Sequence, residues 1–362
     1  MKSKALKLTL KSILYAILAL VLVVVIYLGY VFFSYSRIED NLPLSPTSTA
    51  QGGEKVKVGT DYVVVTQNVG FGAYTPDFTF FMDGGKESRA KSKESVEHAL
   101  TDAYQTLSST IPDFVLLQEV DTKATRSYGI NQLEFFNLYF EAYQSVYAEN
   151  YHSAYLFYPF LKPHGASKSG LVTYSGYTVT SAVRKSIPVS TSLSKFLDLD
   201  RCYSKSVVGV ENGKNLVMYN VHMSAYGGSE EIRTAQMSAL FNDMKAEYDK
   251  GNYCIAGGDF NHDFTGDSNE KLNGNKNSDF EWAQPFPESL LPQGITRCTN
   301  YTDETLNPTA RNCDIPYKKG NYTIIVDGFL VSDNVDVSVT TNIQTDFSYS
   351  DHNPVAIVFK LK

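Results

Sequence analysis

The sequence predicts an α+β layered body behind one N-terminal membrane helix. Three observations lead there. Apolar, β-branched runs of strand length recur along the chain, only two stretches of the body carry helical spacing, and an uncharged run of 21 residues follows an N-terminal lysine block. Of 362 residues, 43% are hydrophobic and 20% charged, a balance that excludes a largely disordered chain. Four cysteines are too few to build a disulfide scaffold. The length admits one large domain or two, and the lack of an internal repeat or a second composition shift favours one.

The N-terminal element comes first. Lys2, Lys4, Lys7 and Lys11 precede the apolar run Ile13–Phe33. About 20 apolar residues span a bilayer as a helix, and the lysines keep residues 1–12 cytoplasmic while the rest crosses. A signal peptide is the rival reading, with a shorter apolar core of roughly 7–15 residues and a small-residue cleavage site. Here the run is longer and ends in Phe32-Phe33-Ser34-Tyr35-Ser36, so residues 13–33 are expected to be an uncleaved anchor with an extracellular body. Residues 34–56, with Pro43, Pro46 and Gly52-Gly53, read as a linker, and 57–362 as the body.

Within the body, Tyr62–Asn68 and Phe114–Gln118 are β-branched or aliphatic runs and read as buried strands. Val96, Ala99, Leu100, Ala103 and Leu107 have helical spacing behind Ser92, a fitting N-cap. A second helix is expected over 230–247 after Gly227-Gly228-Ser229, with Ile232, Ala235, Ala239, Leu240 and Met244 inward. Further strands are expected at 171–174, 181–187, 205–210, 215–221, 253–257, 323–331, 335–341 and 354–361. The strands at 205–210 and 215–221 flank a short turn and form a hairpin.

The functional signal is a repetition. Several apolar strands run into an acid, amide or imidazole: Asn68, Glu119, His222, Asp259 with Asn261, Asp327, and Asp351-His352. Each taken alone is more simply a capped turn or a satisfied hydrogen-bonding residue. Gathered at one sheet edge, Glu119, Asp259, Asp327 and Asp351 would form a carboxylate cluster that requires a cation or a proton. Oxygen donors with Asn and His nearby suit Mg²⁺ or Mn²⁺ rather than Zn²⁺. Hydrolysis of a phosphate ester fits such a site.

In this order, Gln67-Asn68, Leu117-Gln118-Glu119, Asn220-Val221-His222, Gly258-Asp259-Phe260-Asn261, Val326-Asp327 and Ser350-Asp351-His352-Asn353-Pro354 resemble the motifs of the endonuclease/exonuclease/phosphatase superfamily over roughly 60–362. The group includes deoxyribonucleases, inositol-phosphate phosphatases and neutral sphingomyelinases. The resemblance implies a four-layer sandwich, two packed mixed β-sheets flanked by helices. It implies that Glu119, with Asn68 and Asp351, holds the metal, and that Asp259 and Asn261 orient the attacking water and phosphate. His352 would meet the phosphate with its tautomer fixed by Asp327, and His222 would protonate the leaving oxygen.

Departures from the pattern raise further expectations. Gly328 replaces a frequent aromatic, which suggests a more open wall. The aromatic insertion 70–85 reads as a substrate-side loop, or alternatively as a lid over a core; Arg89 after it, and Arg311, are candidate phosphate contacts. Gly165–Gly170 lacks the Lys-Ser/Thr of a nucleotide loop, since Leu171-Val172 stand there. Cys298 and Cys313 flank a polar loop that a disulfide could close in an oxidising compartment.

After residue 33 the chain carries 28 basic against 39 acidic residues. A broad basic groove for nucleic acid is therefore disfavoured. The substrate is expected to be a phosphate ester: nucleic acid, phospholipid or a small phosphodiester. Nothing indicates an obligate protein partner. A non-catalytic binding module would be marked by a missing ligand or imidazole, and every position is filled.

Overall fold

The computed structural model describes residues 2–47, 55–190, 200–225, 229–274, 282–302 and 304–362. The apolar runs pair into two mixed sheets. Among the described residues up to Asp259 the strands are β1 (Leu42–Leu44), β2 (Asp61–Asn68), β3 (Phe114–Asp121), β4 (Gln144–His152), β5 (Lys168–Ser175), β6 (Val179–Ser186), β7 (Cys202–Gly209), β8 (Asn215–His222) and β9 (Tyr253–Asp259). One sheet runs Val335–Asn342, Val355–Leu361, β2, β3, β5, β4; the other runs β1, β6, β7, β8, β9, Asp327–Ser332, Ile295–Arg297. Their inner faces supply Val64, Phe114, Leu116, Met218, Ile255, Phe329 and Ile357, all buried together. Helices α2 (Lys93–Ser109) and α3 (Gln132–Tyr139) cover the outer face of the first sheet, and α4 (Glu230–Asp249) covers the second. This is the α+β sandwich expected.

Local chemistry sets the helix starts. Ser92 caps α2 in a reciprocal box with Ser95, and Ser229 caps α4 by accepting from the Ile232 amide; Gly227 and Gly228 lie outside the described residues. The buried face of α4 is Met237, Leu240, Phe241 and Met244, whereas Ile232, Ala235 and Ala239 are half-exposed. The inward stripe is thus rotated from the expected one. The hairpin between β7 and β8 forms, with Gly209 opposite Asn215.

Three expectations are corrected. The run 323–331 is not one strand: Thr323–Ile324 pairs with Ala310–Arg311, and a new strand starts at Asp327 in the large sheet. The segment read as a linker is partly fastened down. Arg37 meets Asp200 at 2.7 Å and β1 pairs antiparallel with β6; Gly52-Gly53 lie outside the described residues. All four cysteines are free and buried. Cys298 packs between the sheets and Cys313 in the core outside the first sheet, so they occupy different cores and do not pair.

The apolar run lies within α1 (Lys2–Ser34). Its span Leu6–Ser34 has a mean hydropathy of 2.9, with its most apolar stretch exposed, and is long and apolar enough for a membrane span or a signal sequence.

Candidate active site

Sheet pairing brings the polar strand ends together. β2 and β3 are parallel, as are β8 and β9, so Asn68, Glu119, His222 and Asp259 fall at the same edge. Asp327 opposes Asp259 in an antiparallel pair, and Val355 opposes Thr66. Asp327 and Asp351-His352 therefore stand at or before the beginnings of their strands, not at the ends expected from the sequence; antiparallel pairing delivers them to the same edge.

The sheets are stitched just beneath. The Gln118 amide donates to Asn220 Oδ1 at 2.7 Å, and Asn220 Nδ2 donates to the carbonyls of Leu117 and Val172 at 3.1 and 2.9 Å. Fully paired buried amides of this kind fix one arrangement of the two layers. Glu119 sits on a bulge, where the β3–β5 register shifts, at φ +57. A non-glycine residue in the left-handed region is held by its surroundings at a local cost. The bulge turns the Glu119 carboxylate toward Asn68, whose Nδ2 reaches it at 3.3 Å. Gly258, at φ +145, lets β9 pass Val221, since a Cβ would lie 2.1 Å from the Val221 carbonyl oxygen.

A cavity of about 230 Å³ opens over this edge, lined among others by Glu119, His222, Asp259, Asn261, Asp351 and His352. Asn68 lies beneath, its Nδ2 3.1 Å from Asp259 Oδ2. Asp327 is fully buried behind His352, with its Oδ2 2.7 Å from His352 Nδ1. Thr309 Oγ1 accepts from the amides of Val326 and Asp327 and so holds this carboxylate's backbone. His352 Nε2 points to Asp259 Oδ2 at 3.8 Å, and His222 Nε2 lies 3.4 Å from the same oxygen. Asn261 caps the group: its amide donates to Asp259 Oδ1 at 2.9 Å and its side chain to the Met223 carbonyl.

The charges differ by environment. Burial alone would lower the His352 imidazole, but Asp327 and Asp259 outweigh it and hold the group well above its usual range, so the ring is cationic at neutral pH. Burial drives His222 well below its usual range, with Arg201, His352 and Arg126 adding to the fall, so that ring is neutral. Burial pushes the Asp259 carboxyl up to about 7, with Asp327 adding to the rise and His352 opposing it. Burial likewise raises Asp351; His352 opposes the rise and Glu119 adds to it.

Two oxygen-rich groups could hold a cation. Asp259, Asp327 and His352 place ligand atoms within 4.8 Å of one another in a buried cluster. In that cluster His352 Nδ1 and Asp327 Oδ2 are already bonded, whereas the carboxylates of Glu119 and Asp351 offer hard donors that leave the pair intact. Such donors fit a divalent metal. Asn68, expected from the resemblance to share in holding the metal, turns its Nδ2 to Glu119 and Asp259 and its Oδ1 to the Gly70 amide, so it positions the carboxylates instead of offering the metal an oxygen.

The arginines separate. Arg311 is buried and lines the cavity, donating to the carbonyls of Tyr74 and Thr75. Arg89 does not line it; its Nε donates to the Pro163 carbonyl instead. Sequence reasoning missed Arg126 and Arg201, both buried cavity residues. Arg126 clasps Asp121 through two bonds of 3.1 and 2.9 Å, stacks over Phe71 at 3.8 Å and approaches Glu119 at 4.0 Å. Only its place seven residues after Glu119, the end of the Leu117-Gln118-Glu119 motif, hinted at it.

The aromatic insertion divides its work. Phe71 and Phe78 are buried in the outer core, while Phe80, Met82 and Asp83 line the cavity. The wall at Gly328 is not open, because a Cβ there would lie 2.4 Å from Phe264 Cε1 and that ring occupies the space.

Two facing mixed sheets, with a His–Asp pair and a carboxylate cluster at one shared edge, define the sandwich class of phosphoester hydrolases. The family described as Endonuclease/Exonuclease/phosphatase family matches residues 65–352, and the chain belongs to it. Members of this family hydrolyse phosphoesters, in general with a divalent metal.

Solved structures share the fold at low identity. An endonuclease/exonuclease/phosphatase from Beutenbergia cavernae is 15% identical with a TM-score of 0.57, covering 83% of this chain and 72% of that one. The human Nocturnin catalytic domain, solved with a bound sulfate anion, is 17% identical with a TM-score of 0.52, covering 83% and 95%. A Bacteroides vulgatus endonuclease/exonuclease/phosphatase is 16% identical with a TM-score of 0.52, covering 84% and 100%. No curated protein sequence matches.

Proposed function

We propose that the chain is a membrane-anchored, outward-facing phosphodiesterase that uses Mg²⁺ or Mn²⁺ held by Glu119 and Asp351, with Asn68 positioning the Glu119 carboxylate. The observation that carries this reading is one cavity into which Glu119, Asp259, Asp351, His222 and His352 all project. A cation held there would neutralise phosphate charge and so favour attack by water. Asp259, poised near neutral pH, takes the proton of that water, and Asn261 keeps its carboxylate aligned. His352, cationic and fixed by Asp327, donates Nε2–H to a phosphate oxygen. His222 is neutral, and in this reading it hydrogen-bonds the leaving oxygen. Arg311 and Arg126 add positive potential around the phosphate.

The lysines at 2, 4, 7 and 11, in the first turns of α1 before its apolar run, favour a cytoplasmic N-terminus and an external body. The acidic balance after residue 33 favours a compact phosphodiester over a long nucleic-acid duplex.

The test is turnover of the full chain with Mg²⁺ or Mn²⁺ on plasmid DNA, sphingomyelin, inositol phosphates and a chromogenic phosphodiester. Glu119→Gln should abolish metal-dependent turnover and keep the fold. Equal turnover in that variant, or with EDTA, overturns the metal assignment. Protease added to intact cells should degrade the body; full protection reverses the topology.

A further inference from the structure

The loop between β4 and β5 carries a concentration of exposed apolar side chains. Leu156 and Gly165 pair as an isolated bridge and close it. At its tip Phe157, Tyr158, Phe160 and Leu161 are exposed, Phe160 by 82% and Leu161 by 99%. Met82, 65% exposed, belongs to the neighbouring short helical turn Phe81–Asp83, whose Phe81 ring lies 5.8 Å from Tyr158. Outside α1, twelve large hydrophobics are exposed among the described residues, and these five lie on one patch. Isolated exposed apolar residues require no explanation, but a contiguous patch marks a binding surface.

What covers the patch follows from its neighbour. The outer end of α1 rests against the base of this loop. Tyr27 Oη donates to the Tyr155 carbonyl at 3.2 Å, Tyr30 Oη accepts from the Tyr155 amide at 3.0 Å, and the Tyr27 and Phe157 rings meet at 5.2 Å. Lys11 and Tyr30 are separated by about 28 Å of helix at 1.5 Å per residue, close to the ~30 Å hydrocarbon thickness of a bilayer. With Lys11 at the inner boundary, Tyr30 and Tyr155 lie at the outer one. Aromatic rings favour that depth. Exposed Lys162, beside the tip, suits the phosphate layer above it. The chain leaving α1 is pinned by Arg37–Asp200 and by β1, so the body cannot swing the loop away.

We propose that the Phe157–Leu161 tip seats in the outer leaflet of the membrane that α1 crosses. Met82 and Phe80 join the tip to the cavity, so the cavity rim rests against the headgroup layer. The inference rests on the membrane reading of α1 and is tested separately from it.

The full chain is reconstituted in phosphatidylcholine/phosphatidylglycerol vesicles with one added cysteine carrying an environment-sensitive fluorophore, the four native thiols being buried. Labels at L161C (the tip), V24C (α1) and L138C (exposed on α3) are quenched by lipid-attached nitroxide or by aqueous iodide. The expected result is that the tip label is quenched severalfold more by the lipid probe than the Leu138 label, and is shielded from iodide. A tip label as open to iodide as Leu138, with Val24 shielded, overturns the tip proposal alone. A Val24 label open to iodide overturns the membrane reading of α1 and the proposal with it. A tip label shielded from iodide yet not quenched by the lipid probe points to a protein partner and also overturns it.

Discussion

Replacing Asp327 with Asn tests the His352 assignment most directly. Asp327 is fully buried, and its only described side-chain bond is to His352 Nδ1 at 2.7 Å. Hydrogen bonds to a charged partner contribute about 1.5–3 kcal/mol net. If that stabilisation is expressed in the transition state, its loss lowers kcat by roughly 10- to 150-fold. If the Asn amide turns its Nδ2 toward Nδ1, the ring is forced into the other tautomer and the loss grows toward about 10⁴-fold. The sign of the pH effect is also fixed. The carboxylate raises the imidazole, so its removal must move the His352 titration to lower pH. Turnover of a chromogenic phosphodiester is measured with saturating Mn²⁺, normalised to the folded fraction from urea denaturation, and the His352 ring is followed by NMR. A kcat within a factor of about three of the parent, with an unmoved ring titration, refutes the assignment.

Three further outcomes are expected. Arg126→Met strands the buried Asp121 charge and should cost about 3–5 kcal/mol in urea denaturation, whereas the double change Arg126→Met/Asp121→Asn should be milder; equal losses would deny the pair. Gly328→Ala drives a Cβ into Phe264 and should lower stability by about 1–3 kcal/mol, partly recovered by Phe264→Leu; an unchanged thermal midpoint would mean the ring yields freely. His164 is held neutral, pushed down to about 3 from 6.5 by burial first and by Arg126 next. The unfolded chain protonates it and the fold does not, so stability falls as pH drops below 6.5. At pH 5 the loss is about 2 kcal/mol, and His164→Gln should flatten the slope between pH 7 and 5.

What could be read along the chain was what local chemistry encodes. Asp259-Phe260-Asn261 is contiguous, so its turn and its two polar side chains announce themselves together. Ser92 and Ser229 announce helix starts because an N-cap is a local device. Strand polarity is not local. Nothing within Ile324–Asp327 says that the carboxylate opens a strand, because only its antiparallel register with β9 decides that. β4 was missed as a strand, since Gln144–His152 mixes polar residues onto a face that only packing reveals as half-buried. The cysteine pairing failed for the same reason: 15 residues of separation measure loop length, but the two thiols lie in different cores.

The arginines and the glycine at 328 carry the argument furthest. Arg89 follows the aromatic insertion directly and looked well placed, yet a backbone carbonyl holds its Nε and it does not line the cavity. Arg126 had no motif, yet it lies beside Glu119 because α3 and the turn before it fold Asp121 back onto the guanidinium. A cation enters a site when a buried carboxylate nearby holds it there, and that carboxylate need not be catalytic. The same logic governs the wall. Gly328 without its aromatic would leave a void, which close packing opposes, and the ring that fills it belongs to Phe264, on the turn after β9. A departure from the family pattern at one position therefore indicates a compensating residue in contact with it. In this chain that residue sits five positions beyond Asp259 in the core outside the second sheet, so the ring that fills the space at Gly328 is carried by the segment that leads out of the catalytic edge.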